Sequence, residues 1–295
     1  MSGVRFSRLL LVGALVAPLM VAACSSKKPD TYVEQPVDQL YDKAMNLLDQ
    51  QDWTDASKAF DNVDQQHPNS VWATRAQLMS AYALYRAGKQ DDAVVALDRF
   101  IELHPAYKDT PYAYYLKALC YYDQIADVGR DQKITGQALV ALQEVVTRFP
   151  DSKYAQDARY KLDLTRDQLA GKELAIGRFY EGRHQYLAAI NRFRTVISKY
   201  QTTSEVPEAL ERLVECYEAL GLTDDAKKTA AVLGYNYPSS PWYKDSYDLA
   251  TEKLPSAAES EPFNARPGQS RPDASLPAAP PASSSGWFDW IPSPF

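Results

Sequence analysis

Gly88-Lys89-Gln90-Asp91-Asp92-Ala93 returns 133 residues later as Gly221-Leu222-Thr223-Asp224-Asp225-Ala226. Each copy stands between two segments whose apolar residues recur at helical spacing, so the glycine reads as the end of one helix and the aspartates as the start of the next. In both copies the alanine is followed twelve residues later by proline, Pro105 and Pro238. The same interval joins Ala56 to Pro68 and Ala138 to Pro150. Four residues past these alanines stand Phe60, Leu97, Leu142 and, in the last copy, the small Ala230, with a further apolar residue seven past. Those offsets mark one face of a helix. Ala189, Phe193 and Val196 repeat the pattern, with Gln201 where proline is expected.

Working back from each alanine, a helix A carries a small residue and, three places on, a larger one: Ala44 and Leu47, Ala81 and Leu84, Ala118 and Tyr121, Gly177 and Tyr180. The fifth pair, Val214 and Tyr217, departs from the small-residue rule. The pattern resembles the tetratricopeptide repeat, in which two antiparallel helices pack closely because a small side chain on one receives a large one from the other. The fold expected is all-α, an α-solenoid of five helix-turn-helix repeats over residues 37–254, with units at about 37–68, 74–105, 111–150, 152–201 and 207–238. Pro68 to Pro105 is 37 residues, Pro105 to Pro150 is 45, and Pro150 to Gln201 is 51. Against a family period of 34, the 45 implies an insertion around Asp123 to Gly136. The 51 is filled by the stripe Tyr154, Ala158, Leu162, Thr165 and Leu169, which predicts one lengthened helix from Ser152 to Tyr180.

Upstream of the repeats, Arg5 and Arg8 precede an apolar run of fifteen residues from Leu9 to Ala23. The run is shorter than the roughly 20 residues a membrane span requires and reads as a signal peptide over residues 1–23. It closes on Val21-Ala22-Ala23-Cys24, which resembles a bacterial lipobox, so Cys24 is the expected lipidation site and 24–36 a lipidated linker. Acyl chains at about 0.8 kcal/mol per buried CH₂ hold a protein on a membrane without crossing it. Ser25, rather than aspartate, follows the cysteine and favours sorting to the outer membrane. With 32 basic and 38 acidic residues the net charge is −6, the wrong sign for coating phosphate backbones, and nucleic acid is not an expected partner.

Helix A positions that face the inside of such a solenoid divide into two chemistries. The first three units supply Tyr41, Tyr82, Tyr85, Tyr112, Tyr115 and Tyr122, an aromatic groove suited to extended peptides because tyrosine offers a broad face and few rotamers. The last two supply Arg178, Glu181, Glu211, Glu215 and Glu218. No catalytic or cofactor signature accompanies them: glycine-rich phosphate loops, nucleophile elbows and zinc helices are missing from the sequence. His67 and His104 each precede a repeat-ending proline and read as turn residues. Cys120 and Cys216 fall two units apart, beyond the ~7 Å reach of a disulfide, and are expected as buried thiols.

Residues 255–295 are a different material, a Pro/Ala/Ser-rich tail without the aliphatic content of a core and expected to be disordered. It closes on an aromatic cluster containing Trp287, Phe288, Trp290 and Phe295, an expected docking motif. Taken with the anchor and the insertion, the runs Ala96 to Pro105, Tyr112 to Tyr122 and Phe149 to Ala158 resemble the lipoprotein family of the outer-membrane β-barrel assembly machinery, the BAM complex. That resemblance implies a non-enzymatic scaffold on the periplasmic face of the outer membrane, with the POTRA domains of BamA, other assembly-complex lipoproteins and unfolded outer-membrane proteins as partners. It assigns Asn191 and Arg192 to the BamA contact. Another envelope lipoprotein of the same repeat type, scaffolding peptidoglycan or cell-division enzymes, is the alternative.

Overall fold

The computed structural model describes residues 35–244 together with 246. Ten helices run through them: α1 (Val37–Asp49), α2 (Trp53–Gln66), α3 (Val71–Arg86), α4 (Gln90–Leu103), α5 (Thr110–Tyr122), α6 (Lys133–Arg148), α7 (Ala155–Glu181), α8 (Tyr186–Lys199), α9 (Val206–Ala219) and α10 (Thr223–Asn236). No strand occurs among the described residues. Successive helices pack in antiparallel pairs, odd-numbered helices touch the next odd-numbered helix, and no even-numbered helix touches another even one. This is an all-α solenoid of five tiers. The odd helices line one wall and the even helices form its back.

The core follows the repeat alanines. Ala56, Ala93, Ala138, Ala189 and Ala226 are all fully buried, as are Phe60, Leu97, Leu142 and Phe193 four residues on. On the odd helices Ala44, Ala81 and Ala118 are equally buried. The fourth tier carries this logic to its limit: a Cβ built on Gly177 would lie 2.3 Å from Cε1 of Phe193, so hydrogen is the only side chain the ring admits. The fifth tier reverses it. Val214 is fully buried against Ala226 and Ala230, the small residue having moved to the even helix. The departure at Val214 is therefore compensated, with volume conserved across the pair.

Four tiers turn on the same backbone device. Gln51, Gly88, His184 and Gly221 have φ of 62°, 76°, 59° and 75°, the left-handed conformation that favours glycine. In each, the next residue's N–H donates to the carbonyl five residues back, as Lys89 does to Leu84 and Leu222 to Tyr217. The acids that follow differ from expectation in one respect. Asp91 and Asp92 stand in the first turn of α4 and not at its N-cap, where they oppose the positive end of the helix dipole.

The third tier has a loop, residues 123–132, in place of that turn. It is held by the lengthened helix α7, whose 27 residues span about 40 Å at 1.5 Å per residue. Gln168 donates to the Ala126 carbonyl at 2.7 Å and Lys172 to that of Gly129 at 3.1 Å. Val128 Cγ1 sits 3.2 Å from where a Cβ on Gly171 would stand. The insertion and the long helix thus fit each other, and Gly171 leaves the room. The helix begins at Ala155 rather than Ser152, because 151–154 form a turn. At the far end Trp242 and Tyr243 pack on the last core cluster, closing it.

Candidate functional site

Tyr82 and Tyr85 of α3 and Tyr112 and Tyr115 of α5 lie one or two turns apart on neighbouring odd helices and converge on one cleft of about 540 Å³, floored by Leu116 and Leu119. The rings continue toward α7 through Tyr154, the residue just before that helix, 5.4 Å from Tyr112 and stacked on Tyr115 at 5.2 Å. Two of the hydroxyls are already engaged. Tyr85 donates to Asp123 at 2.5 Å and Tyr115 donates to Asp157, which also receives Lys161 at 2.8 Å. Burial, then these carboxylate contacts, raises both phenols above their ordinary range. Tyr112 is raised as well, chiefly by burial. The hydroxyls of Tyr85 and Tyr115 are thus held at carboxylates while the four rings line the cleft. Arg86 at the lip donates to the Tyr82 hydroxyl at 2.8 Å and stacks 4.4 Å from the Trp53 ring.

Two of the six expected groove tyrosines are elsewhere. Tyr41 is a core residue, 5% exposed, packed edge-on to Phe60 at 5.5 Å and against Trp72 at 4.8 Å. It begins the solenoid with no tier before it, and Trp72 of α3 covers the side that would have faced the groove. Tyr122 lies in a second cleft of about 620 Å³ between the 123–132 loop and α7, with Ile125, Val128, Leu164 and Arg178. Lys161 stands 5.4 Å over its ring. Sequence alone does not separate the two clefts, because the separation depends on where the inserted loop docks.

The opposite end of the odd-helix wall is ionic. Arg212 of α9 gathers Glu215 at 2.8 Å, Glu211 at 3.5 Å, Glu208 at 3.6 Å and, from α7, Glu181 at 3.8 Å. Arg178 reaches Glu208 at 3.4 Å. Two guanidinium groups do not neutralise four carboxylates. Burial, followed by the charge of Glu215, pushes Glu211 up to about 8 and Glu181 up to about 7. Glu208 and Arg212 escaped the sequence reading. Arg212 projects from a position between the inward ones, and its reach to a helix thirty-one residues upstream leaves no trace in the pattern.

On the back of the fourth tier Asn191 is exposed, and Arg192 of α8 donates to Glu173 of α7 at 3.1 Å. Cys120 and Cys216 are free and buried; burial pushes the Cys120 thiol up to about 12 and raises Cys216 further. His67 donates to the Gln35 carbonyl at 2.7 Å and His104 to the Gln77 side chain at 2.8 Å, both beside a helix end. Among the described residues no group of three His, Cys, Asp or Glu is placed to hold a metal, and no helix is long and apolar enough to cross a membrane. Cys24, Trp287, Phe288, Trp290 and Phe295 lie outside the described residues.

Five tiers of paired helices, with an aromatic cleft in the second and third tiers of the inner wall and a carboxylate–arginine network in the fourth and fifth, define a tetratricopeptide-type helical solenoid. The family described as Outer membrane lipoprotein matches residues 33–233, and the chain belongs to that family, the lipoproteins named BamD. A Caulobacter vibrioides protein named outer membrane protein assembly factor BamD is 49% identical over 244 residues, 82% of this chain and 80% of that one. A Rickettsia prowazekii protein of the same name is 48% identical over 240 residues, 81% of this chain and 96% of that one. Among solved structures the P58(IPK) TPR domain aligns over 74% of this chain and 61% of that one at 17% identity, with a TM-score of 0.37, an overlap too loose to add to the geometry.

Proposed function

We propose that the chain is a non-enzymatic scaffold of outer-membrane protein assembly, anchored at the periplasmic face through Cys24, which holds unfolded client segments at its tyrosine cleft and docks BamA POTRA domains on its fourth and fifth tiers. Its relatives are named assembly factors for outer membrane proteins, which supports the general role. The observation that carries the client reading is the cleft itself. Four tyrosines, the hydroxyls of Tyr85 and Tyr115 tethered to carboxylates, present apolar ring surface, which suits transient grip on an extended, sequence-variable chain. The BamA contact rests on Arg192 and Asn191. Glu173 holds the guanidinium in place at one edge, while the pair remains partly exposed and able to meet a partner carboxylate. Other lipoproteins of the complex are expected on the same solenoid.

Replacing the host copy by variants separates these roles. Tyr82→Ala with Tyr115→Ala is expected to lower client-segment affinity about tenfold, the loss of roughly two aromatic contacts, while BamA still co-purifies. Arg192→Glu is expected to release BamA and keep client binding. Cys24→Ala is expected to fail to incorporate labelled palmitate and to leave the membrane fraction. Depletion is expected to empty the outer membrane of β-barrel proteins; normal barrels on depletion, with cell-wall enzymes co-purifying, would overturn the proposal in favour of the alternative scaffold.

A further inference from the structure

The tyrosine cleft and the aromatic cluster at residues 287–295 match in chemistry and lie within reach of each other. With the hydroxyls of Tyr85 and Tyr115 committed to Asp123 and Asp157, the cleft offers a ligand its ring surface, its leucine floor and, at the lip, the Arg86 guanidinium, the Asp123 carboxylate being already engaged by Tyr85. The complement is an aromatic segment carrying a negative charge. Trp287-Phe288-Asp289-Trp290-Ile291-Pro292-Ser293-Pro294-Phe295 has five large apolar residues in nine and one charge, Asp289, opposite in sign to Arg86. The 32 residues from 255 to 286, rich in Pro, Ala and Ser, reach from about 30 Å as a flexible coil of that length to about 100 Å where proline holds a chain extended. From the fifth tier back to the cleft between the second and third is roughly 20–30 Å, two to three helix-packing distances.

We propose that residues 287–295 dock in cis into the cleft formed by Tyr82, Tyr85, Tyr112 and Tyr115, and that clients must displace them. The docking stands on these observations alone; the competition rests on the reading of the cleft as the client groove. A tether of this length supplies an effective concentration on the order of 1 mM. A segment that binds at about 0.2 mM in trans then fills the cleft most of the time and weakens apparent client affinity about fivefold. Such a segment admits strong clients and turns away weak ones.

The test uses the full chain with benzoylphenylalanine in place of Trp290, cross-linked by light and mapped by mass spectrometry. Cross-links within residues 82–123 of the same molecule are expected; cross-links elsewhere on the chain, or between isotopically distinct copies, overturn the proposal. In parallel, the full chain carrying Trp287→Ser, Phe288→Ser and Trp290→Ser is titrated with a fluorescein-labelled peptide from the final β-strand of an outer-membrane barrel protein. It is expected to bind about fivefold tighter than the unaltered chain. Cleft cross-links with peptide affinity indifferent to both the tail substitutions and Tyr115→Ala leave docking intact and sink the client reading. Peptide affinity lost in Tyr115→Ala, with no cleft cross-link and no effect of the tail, sinks docking and spares the client reading.

Discussion

Gly177→Ala is expected to destabilise the solenoid by about 2 kcal/mol, seen as a fall of about 1 M in the urea midpoint. An added Cβ meets three atoms of the Phe193 ring, Cε1 at 2.3 Å, Cδ1 at 2.7 Å and Cζ at 2.8 Å. The ring has nowhere to retreat, being fully buried in a cluster with Leu174, Val196 and Ile197. Helix propensity works the other way, since alanine is about 1 kcal/mol better than glycine in a helix interior, but overpacking at such distances outweighs it. Phe193→Leu in the same chain is expected to recover more than half of the loss, although alone it costs about 1 kcal/mol. A double-mutant cycle with no coupling between the two sites would show that the helices do not meet there.

Arg212→Met is expected to cost roughly 3 kcal/mol at pH 8 and clearly less at pH 5.5, because it strips the cation from carboxylates that the fold partly buries. The unaltered protein already carries the sign of this effect. Glu211 and Glu181 titrate near 8 and 7 in the fold, against an ordinary glutamate value near 4.3 when unfolded. Between those values the folded chain binds more protons, so the stability these groups contribute is complete below about pH 4.5 and is lost as pH rises through about 8. Thermal midpoints between pH 5.5 and 8.5 should therefore fall with pH in the unaltered chain, more steeply in Arg212→Met and less steeply in Glu211→Gln. Equal losses at both ends of that range in Arg212→Met would mean that the guanidinium acts through packing alone.

The repeat grammar was legible because it is local. A small residue, a large one four past the next alanine, and a helix stop lie within one unit, and every repeat alanine is buried where that spacing puts it. Val214 looked like an exception only when helix A was read without its partner; Ala230 sixteen residues later restores the fit. What escaped reading is non-local. The docking of the 123–132 loop on Gly171, Gln168 and Lys172 divides one expected groove into two clefts across about forty residues of sequence. The burial of Tyr41 depends on Trp72 of the next tier. Arg212 became the centre of the acidic end by the length of its side chain, which periodicity does not encode.

Each even-numbered helix from α2 to α8 touches the odd helices on either side of it, α10 touches α9, and no even helix touches another. Mechanically the molecule is a book held at its spine: the pages can fan apart along the outer edge without breaking any page-to-page contact, because none exists there. Opening the arc then bends four joints by small amounts instead of breaking one seal. The width of the inner wall can in this way change by small steps shared among the tiers, with no single contact surface having to open.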